Sequence, residues 1–358
     1  MSWFAGRVLA LFTCAAILGA CTQIGSEPGS GGSLHVGQPA PARSLPGRAF
    51  SFASAGDHGA NPNSAAALAR LDQSDVEFYL ALGDLDYDET TSDRTWCDYV
   101  HDRLPSKGKL FPFEVLVGNH EQDSGPDGRI AEHARCLPDR LNSTHGPGSR
   151  YGAEYAFTYP RTNPFAKVIM VAPNLTVDGE LHTYGHGSPH RRWLVRQIEN
   201  ARDDGIRWVI VGMHYPCVTT GLTHDCDSGS DILNLLVRKR VDLVLAGHNH
   251  IYERSKQLRL NGGDCRRIRT DRFDRDCVVS GWRDGVYRAG AGTLLITAGT
   301  FGGRPQGADP RDSERRYFAK VDGDALGFVR YVVRPGRIHG GFLSTADSAA
   351  DSFVIVRH

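Results

Sequence analysis

An α/β layered fold is what this sequence predicts, on three observations. From Ala49 onward, short apolar runs alternate with stretches of helical periodicity, the pattern of sheets covered by helices. At 358 residues the chain has core enough for one large α/β domain or two small ones. The polar clusters fall just after apolar runs, where open α/β sheets place their sites, beyond the carboxyl ends of strands.

The elements follow in order. Ala49–Ala55 reads as a strand, and Asn63–Leu71 as a helix with Asn63 or Ser64 as its N-cap. Val76–Leu82, Phe113–Val117, Val168–Val171, Trp208–Val211 and Leu243–Ala246 are runs of buried-strand type. Ser188-Pro189 opens a helix that continues to about Asp203 and stops at Gly205, with Pro at the first helical position and Gly beyond the end. Asp231–Arg240 is a further helix; Thr293–Ala298 and Ser352–Val356 are late strands.

The first residues carry a processing signal. Arg7 precedes an apolar run, Val8 to Ala20, too short for a comfortable membrane span. Residues 1–20 therefore read as a signal peptide. The ending Leu18-Gly19-Ala20-Cys21 resembles a bacterial lipobox, in which Cys21 is diacylated and anchors the mature chain to a membrane outside the cytoplasm, periplasmic or at the cell surface. Residues 21–47, rich in Gly, Ser, Pro and Ala, cannot bury enough surface to order themselves and read as a flexible tether to a catalytic domain over 48–358. With Cys14 removed and Cys21 lipidated, an even number of cysteines remains, which in an exported chain reads as disulfides. Loop lengths favour Cys97–Cys136, Cys217–Cys226 and Cys265–Cys277, and the absence of any CxxC pair argues against a thiolate metal site. Basic and acidic residues balance at 41 each, and there is no basic face or aromatic repeat to bind nucleic acid.

Five clusters carry the chemistry. Gly56-Asp57-His58-Gly59 puts a carboxylate on a glycine-flanked turn. Gly83-Asp84-Leu85-Asp86-Tyr87 adds a carboxylate able to bridge two cations and a phenol able to bind a hard trivalent ion. Gly118-Asn119-His120-Glu121 offers a neutral carbonyl oxygen beside a histidine. Val211-Gly212-Met213-His214 ends a strand on an imidazole, and Gly247-His248-Asn249-His250 places two histidines where they can serve adjacent metals. Any one of them has an ordinary alternative: a turn aspartate, a packed tyrosine, a satisfied core histidine. Their recurrence after five strands does not.

In order and spacing these clusters resemble the five blocks of the calcineurin-like metallophosphoesterases, and in particular those of the purple acid phosphatase branch: GD-x-G, GD-x-x-Y, GNHE, V-x-x-H and GH-x-H running on into YER. The resemblance implies a four-layer αββα sandwich of two mixed β-sheets flanked by helices. It implies that Asp57, Asp84, Tyr87 and His250 hold Fe(III). Asp84 then bridges to a divalent ion (Zn, Mn or Fe) held also by Asn119, His214 and His248. Related enzymes outside this branch have a histidine where Gly59 stands, and His58 is one residue too early to replace it. The implied reaction is hydrolysis of a small phosphate monoester. Two ions about 3.5–4 Å apart acidify a water and neutralise the phosphoryl oxygens, and His120 or a second histidine protonates the leaving alcohol. His224, ten residues past His214, lies where the family often grips phosphate; His182 and His186 are weaker candidates for that role.

Two other readings fit the same clusters: a phosphodiesterase or nucleotidase on the same scaffold, and a lipoprotein that binds without turnover. The filled ligand positions favour catalysis over the last. The arginine-rich segment from Cys265 to Cys277 has interleaved aspartates and reads as a solvated, disulfide-closed loop rather than a gate for anions. The glycine-rich turn from Thr297 to Gly303 reads as room for packing.

Overall fold

The computed structural model describes residues 49–125, 129–261, 263–279, 285–346 and 351–357. The expected signal peptide, tether and lipid-acceptor Cys21 lie outside the described residues. Two large sheets make up the domain. The first runs, in spatial order, Val286–Arg288, Ser352–Val356, Arg337–Ser344, Gly327–Arg334, Phe50–Ala55, Phe78–Ala81 and Phe113–Val115. The second runs Phe318–Asp322, Tyr252–Ser255, Leu294–Ala298, Leu243–Ala246, Trp208–Gly212, Ala166–Met170, Tyr155–Tyr159 and Thr144–His145. Both are mixed. Phe50–Ala55, Phe78–Ala81 and Phe113–Val115 are parallel neighbours, as are Ala166–Met170, Trp208–Gly212, Leu243–Ala246 and Leu294–Ala298. The remaining strands join antiparallel, except the edge strand Val286–Arg288, which lies parallel to Ser352–Val356.

Burial explains why the central strands read as unbroken apolar runs: both faces are covered. Trp208 and Ile210, with Leu243 and Leu245, pack into the core between the sheets, where Phe52 stacks on Phe78 at 5.1 Å and on Tyr331 at 4.6 Å. Their alternates Val209, Val211 and Val244 face Trp193, Leu194 and Ile198 of the helix Pro189–Asp203 and Leu233 and Leu236 of the helix Ser230–Arg238. Ala67, Leu68 and Leu71 of the helix Pro62–Asp72, and Trp96 and Val100 of Asp93–Asp102, join the core on the first sheet's side. Helix, sheet, sheet, helix is the four-layer sandwich expected.

The helix Pro189–Asp203 begins and ends where expected, with Ser188 capping Arg191 N–H. The first helix starts earlier than Asn63. Asn61 is its N-cap, its Oδ1 accepting from Asn63 and Ser64 N–H, while Ser64 Oγ accepts from Asn61 N–H. Pro62, which has no N–H to leave unpaired, takes the first helical position. The three expected disulfides form, with Cα–Cα separations of 6.1, 3.6 and 5.1 Å for Cys97–Cys136, Cys217–Cys226 and Cys265–Cys277.

Candidate metal centre

The two sheets meet at one edge. Parallel strands Phe50–Ala55 and Phe78–Ala81 end on the turns bearing Asp57 and Asp84, and Asn119 follows Phe113–Val115. From the second sheet, Trp208–Gly212 and Leu243–Ala246 deliver His214 and the His248/His250 pair. Backbone contact closes the seam: Gly56 N–H donates to Ala298 O at 2.9 Å, and His248 N–H to Asp57 Oδ2 at 2.7 Å. A Cβ on Gly56 would lie 3.0 Å from Gly247 Cα. Gly56 and Gly247, the glycines before Asp57 and His248, are therefore what lets the two sheets approach here. Asp57, Asp84, Tyr87 and His248 all have left-handed backbones, with φ of 66°, 51°, 56° and 69°, each costing about 1–3 kcal/mol that the surrounding structure must offset.

The expected ligand atoms converge in two groups. Tyr87 Oη lies 2.8 Å from Asp57 Oδ1, 3.2 Å from Asp84 Oδ2 and 3.0 Å from His250 Nε2, and His250 Nε2 is 3.3 Å from Asp57 Oδ1. On the other side His214 Nε2 is 3.0 Å from Asn119 Oδ1 and 3.3 Å from Asp84 Oδ1. Asp84, His214 and His248 each offer an atom to a cluster within 4.8 Å. Asp84 thus turns one oxygen to each group. The donor chemistry fits two unlike cations: three oxygens that can carry negative charge with one imidazole suit a hard trivalent ion, and two imidazoles with an amide and a carboxylate oxygen suit a divalent one.

Charge supports the same fit. Burial opposes ionisation of Asp57, but His250, with His214 and His248 nearby, holds its carboxyl below the usual range. Asp84 is also lowered against burial, chiefly by His214. Burial disfavours the imidazolium of His214, yet Asp84 pushes that ring up to about 9. Burial, Asp57 and Asp84 together push the Tyr87 phenol far above its ordinary value. A cation binding here must displace protons from Tyr87 and His214.

Two functional side chains had no sequence signal that assigned them a role. Glu121, buried, accepts from Asp84 N–H (3.1 Å), Leu85 N–H (2.6 Å) and Gly118 N–H (2.9 Å), tying the Asp84 turn to the Asn119 turn. Asp227, in an irregular loop, puts Oδ2 3.1 Å from His248 Nε2 and 3.7 Å from His224 Nδ1. His224 lies over His248, ring centroids 3.8 Å apart. His120 has Nε2 3.8 Å from Asp84 Oδ2 and its ring edge-on to Tyr87. Both histidines expected to act on substrate are thus beside the donors.

Other residues lie elsewhere. His58 turns into the core, Nε2 3.0 Å from Tyr79 Oη, and burial pushes it down to about 4. His186 is exposed, and His182 is buried against Glu154 and His190 rather than grouped with the metal-centre donors. Arg269 pairs with Asp271 on an exposed loop surface, as the solvated reading expects. The glycine-rich turn serves more than general packing. A Cβ on Gly303 would strike the His250 ring, and Gly302 and Gly303 N–H both donate to Asp57 O at 2.8 Å. A cavity of about 730 Å³ lined by Phe50, Leu110, Arg140 and Tyr159 contains none of these residues.

A helix-covered double sheet collecting carboxylates, a phenol, an amide and three imidazoles at one edge defines a metal-binding α/β protein. The chain belongs to the calcineurin-like phosphoesterase family, whose model matches residues 50–252. It is 34% identical over 198 residues to an uncharacterized protein of Mycobacterium tuberculosis, covering 51% of this chain and 35% of that one. It is 26% identical over 231 residues to the Fe(3+)-Zn(2+) purple acid phosphatase 12 of Arabidopsis thaliana, covering 61% and 46%. Among solved structures, the purple acid phosphatase from yellow lupin (Lupinus luteus) seeds superposes with a TM-score of 0.64 at 15% identity, over 87% of this chain and 55% of that one. The sequence likeness to the Arabidopsis enzyme supports the purple acid phosphatase branch, and the lupin structure shows the shared fold. The chain spans less than half the length of the curated relatives it matches.

Proposed function

We propose that the protein hydrolyses small phosphate monoesters at a binuclear Fe(III)–M(II) centre, with M either Zn, Mn or Fe. Asp57, Asp84, Tyr87 and His250 would hold the ferric ion, and Asp84, Asn119, His214 and His248 the divalent one. The observation that carries this is Asp84, with one oxygen in each donor group. When bound, the pair of ions supplies an acidified water and neutralises charge on the phosphoryl oxygens. The chain does the rest. His120, its Nε2 3.8 Å from Asp84 Oδ2, is the side chain that would pass a proton to the departing alkoxide. His224, half-buried over His248 and steadied by Asp227, faces the same space and grips phosphate. The similarity to a phosphatase whose name specifies Fe(3+) and Zn(2+) supports the metal assignment.

The test compares turnover of a mono-aryl and a bis-aryl phosphate by metal-loaded protein. Faster monoester hydrolysis, abolished by chelator and by His248→Ala with the fold retained, is expected. Preference for the diester would make it a phosphodiesterase; stoichiometric metal with no turnover of either would make it a binding protein. We further propose that residues 1–20 are removed and that Cys21 carries the lipid that anchors residues 48–358, through the 21–47 tether, outside the cytoplasm. Labelled fatty acid should be incorporated by the wild type and not by Cys21→Ser.

A further inference from the structure

A second set of metal-type side chains lies apart from the binuclear centre. Glu154, just before the strand Tyr155–Tyr159, His182, after the hairpin strand Glu180–Leu181, and His190, in the first turn of the helix Pro189–Asp203, are each 1% exposed or less. Each offers an atom to a cluster within 4.8 Å. His190 Nδ1 is 3.0 Å from Glu154 Oε2, the same spacing found between donors of the binuclear centre, where His214 Nε2 and Asn119 Oδ1 are 3.0 Å apart.

What separates this cluster from an ordinary buried ion pair is His182. Glu154, Tyr184, His190 and Glu180 satisfy one another: Tyr184 Oη donates to Glu154 Oε1 at 2.7 Å, and His190 Nε2 is 3.1 Å from Glu180 Oε1. His182 Nδ1 is buried with no hydrogen-bond partner, its ring stacked on His190 at 4.2 Å. A buried imidazole nitrogen left unpaired is unfavourable, and burial pushes this ring down to about 4, leaving its lone pair available. Its backbone is pinned on both sides by Leu175 O and Asn174 N–H, so relief has to come from the cluster.

We propose that Glu154, His182 and His190 form a mononuclear site for a divalent cation of zinc type, independent of the binuclear centre. Two imidazoles and a carboxylate are a zinc donor set, with the fourth position left to water. The surroundings match what such ligands need. Glu180 orients His190 through its other nitrogen, and Tyr184 holds the second oxygen of Glu154. The His182 ring turns about its Cβ–Cγ bond to leave the stack and face the ion. The ion ties together a strand, a hairpin and a helix N-terminus. That hairpin region also braces the active-site wall, since Asn174 Nδ2 donates to Asp227 O at 2.7 Å.

The experiment is Zn²⁺ loading of chelator-treated protein, read as metal per chain by mass spectrometry and as the visible absorption of Co²⁺ put in its place. Wild type should hold one ion more than the binuclear centre accounts for, and His182→Gln should lose that ion while keeping the others. His248→Ala should keep it, with a Zn²⁺-dependent rise in melting temperature. Should His182→Gln fold poorly, Glu180→Gln changes a half-exposed carboxylate and should weaken the same ion by about tenfold or more. Unchanged stoichiometry and affinity in both variants overturns the proposal. A wild type that holds a single ion, lost with His182→Gln, upholds it while removing the binuclear reading.

Discussion

Glu121→Ala tests how the ligand turns are held. Three backbone N–H groups, from Asp84, Leu85 and Gly118, end on this one carboxylate, and the side chain is 1% exposed. Removing it leaves those donors facing a pocket the size of the lost side chain. A buried donor left unpaired costs about 1–3 kcal/mol. Water entering the space recovers part of this, so a total loss of about 3–6 kcal/mol is expected for three donors. Glu121→Gln should cost less, about 1–3 kcal/mol, because the amide oxygen can replace Oε2 under Asp84 and Gly118 and only Leu85 N–H then meets an NH₂ group. Urea unfolding gives the stability, and metal content after dialysis gives the consequence for the centre. Because the same carboxylate joins the Asp84 turn to the Asn119 turn, metal retention should fall in the order wild type, Gln, Ala. An alanine variant within about 0.5 kcal/mol of wild type, with its metal unchanged, would refute the reasoning.

Three further outcomes follow from the geometry. Tyr87→Phe should abolish a tyrosinate-to-iron charge-transfer band in the visible spectrum of purified protein; a colourless, iron-free but active wild type would point to a di-zinc or di-manganese centre instead. Asp227→Asn should lower affinity for the divalent ion by about 10–100-fold, measured by competition with a chelator, because it removes the carboxylate on His248 Nε2; unaltered affinity would make Asp227 a bystander. Glu114→Gln should change how stability depends on pH. Burial pushes Glu114 up to about 8 from an ordinary 4.5, opposed by Arg140 N–H, so the folded state prefers the protonated acid. That contribution is full below about pH 4.5 and is lost as the pH rises through about 8. Gln mimics the protonated form at every pH, so the variant should gain on wild type across that window by at most about 5 kcal/mol; a pH-independent difference in denaturant unfolding would contradict this.

The amino-acid order by itself determined which side chains could become ligands. Asp57, Asp84, Asn119, His214 and His248 each follow a short apolar run through a glycine-containing turn, and that relation is local: a doubly buried strand, then a residue with no side chain where two backbones must pass. The helix Pro189–Asp203 was legible for the same reason, since Ser188, Pro189 and Gly205 set its ends within a few residues. The strand Tyr252–Ser255 was not. Its Glu253 and Arg254 are buried only because Thr220, donating twice to Glu253 at 2.7 Å, and Asp351, paired to Arg254 at 2.6 and 2.8 Å, arrive from distant segments.

Tertiary structure alone decided the facing of Asp84's two oxygens, the arrival of Asp227 on His248, the three-fold grip of Glu121 and the diversion of His182 to Glu154 and His190. Each joins groups that neither strand periodicity nor turn chemistry relates. Contacts within a few residues are written in backbone propensity; contacts between segments come into being only when the two sheets bury their shared core and bring their strand ends together.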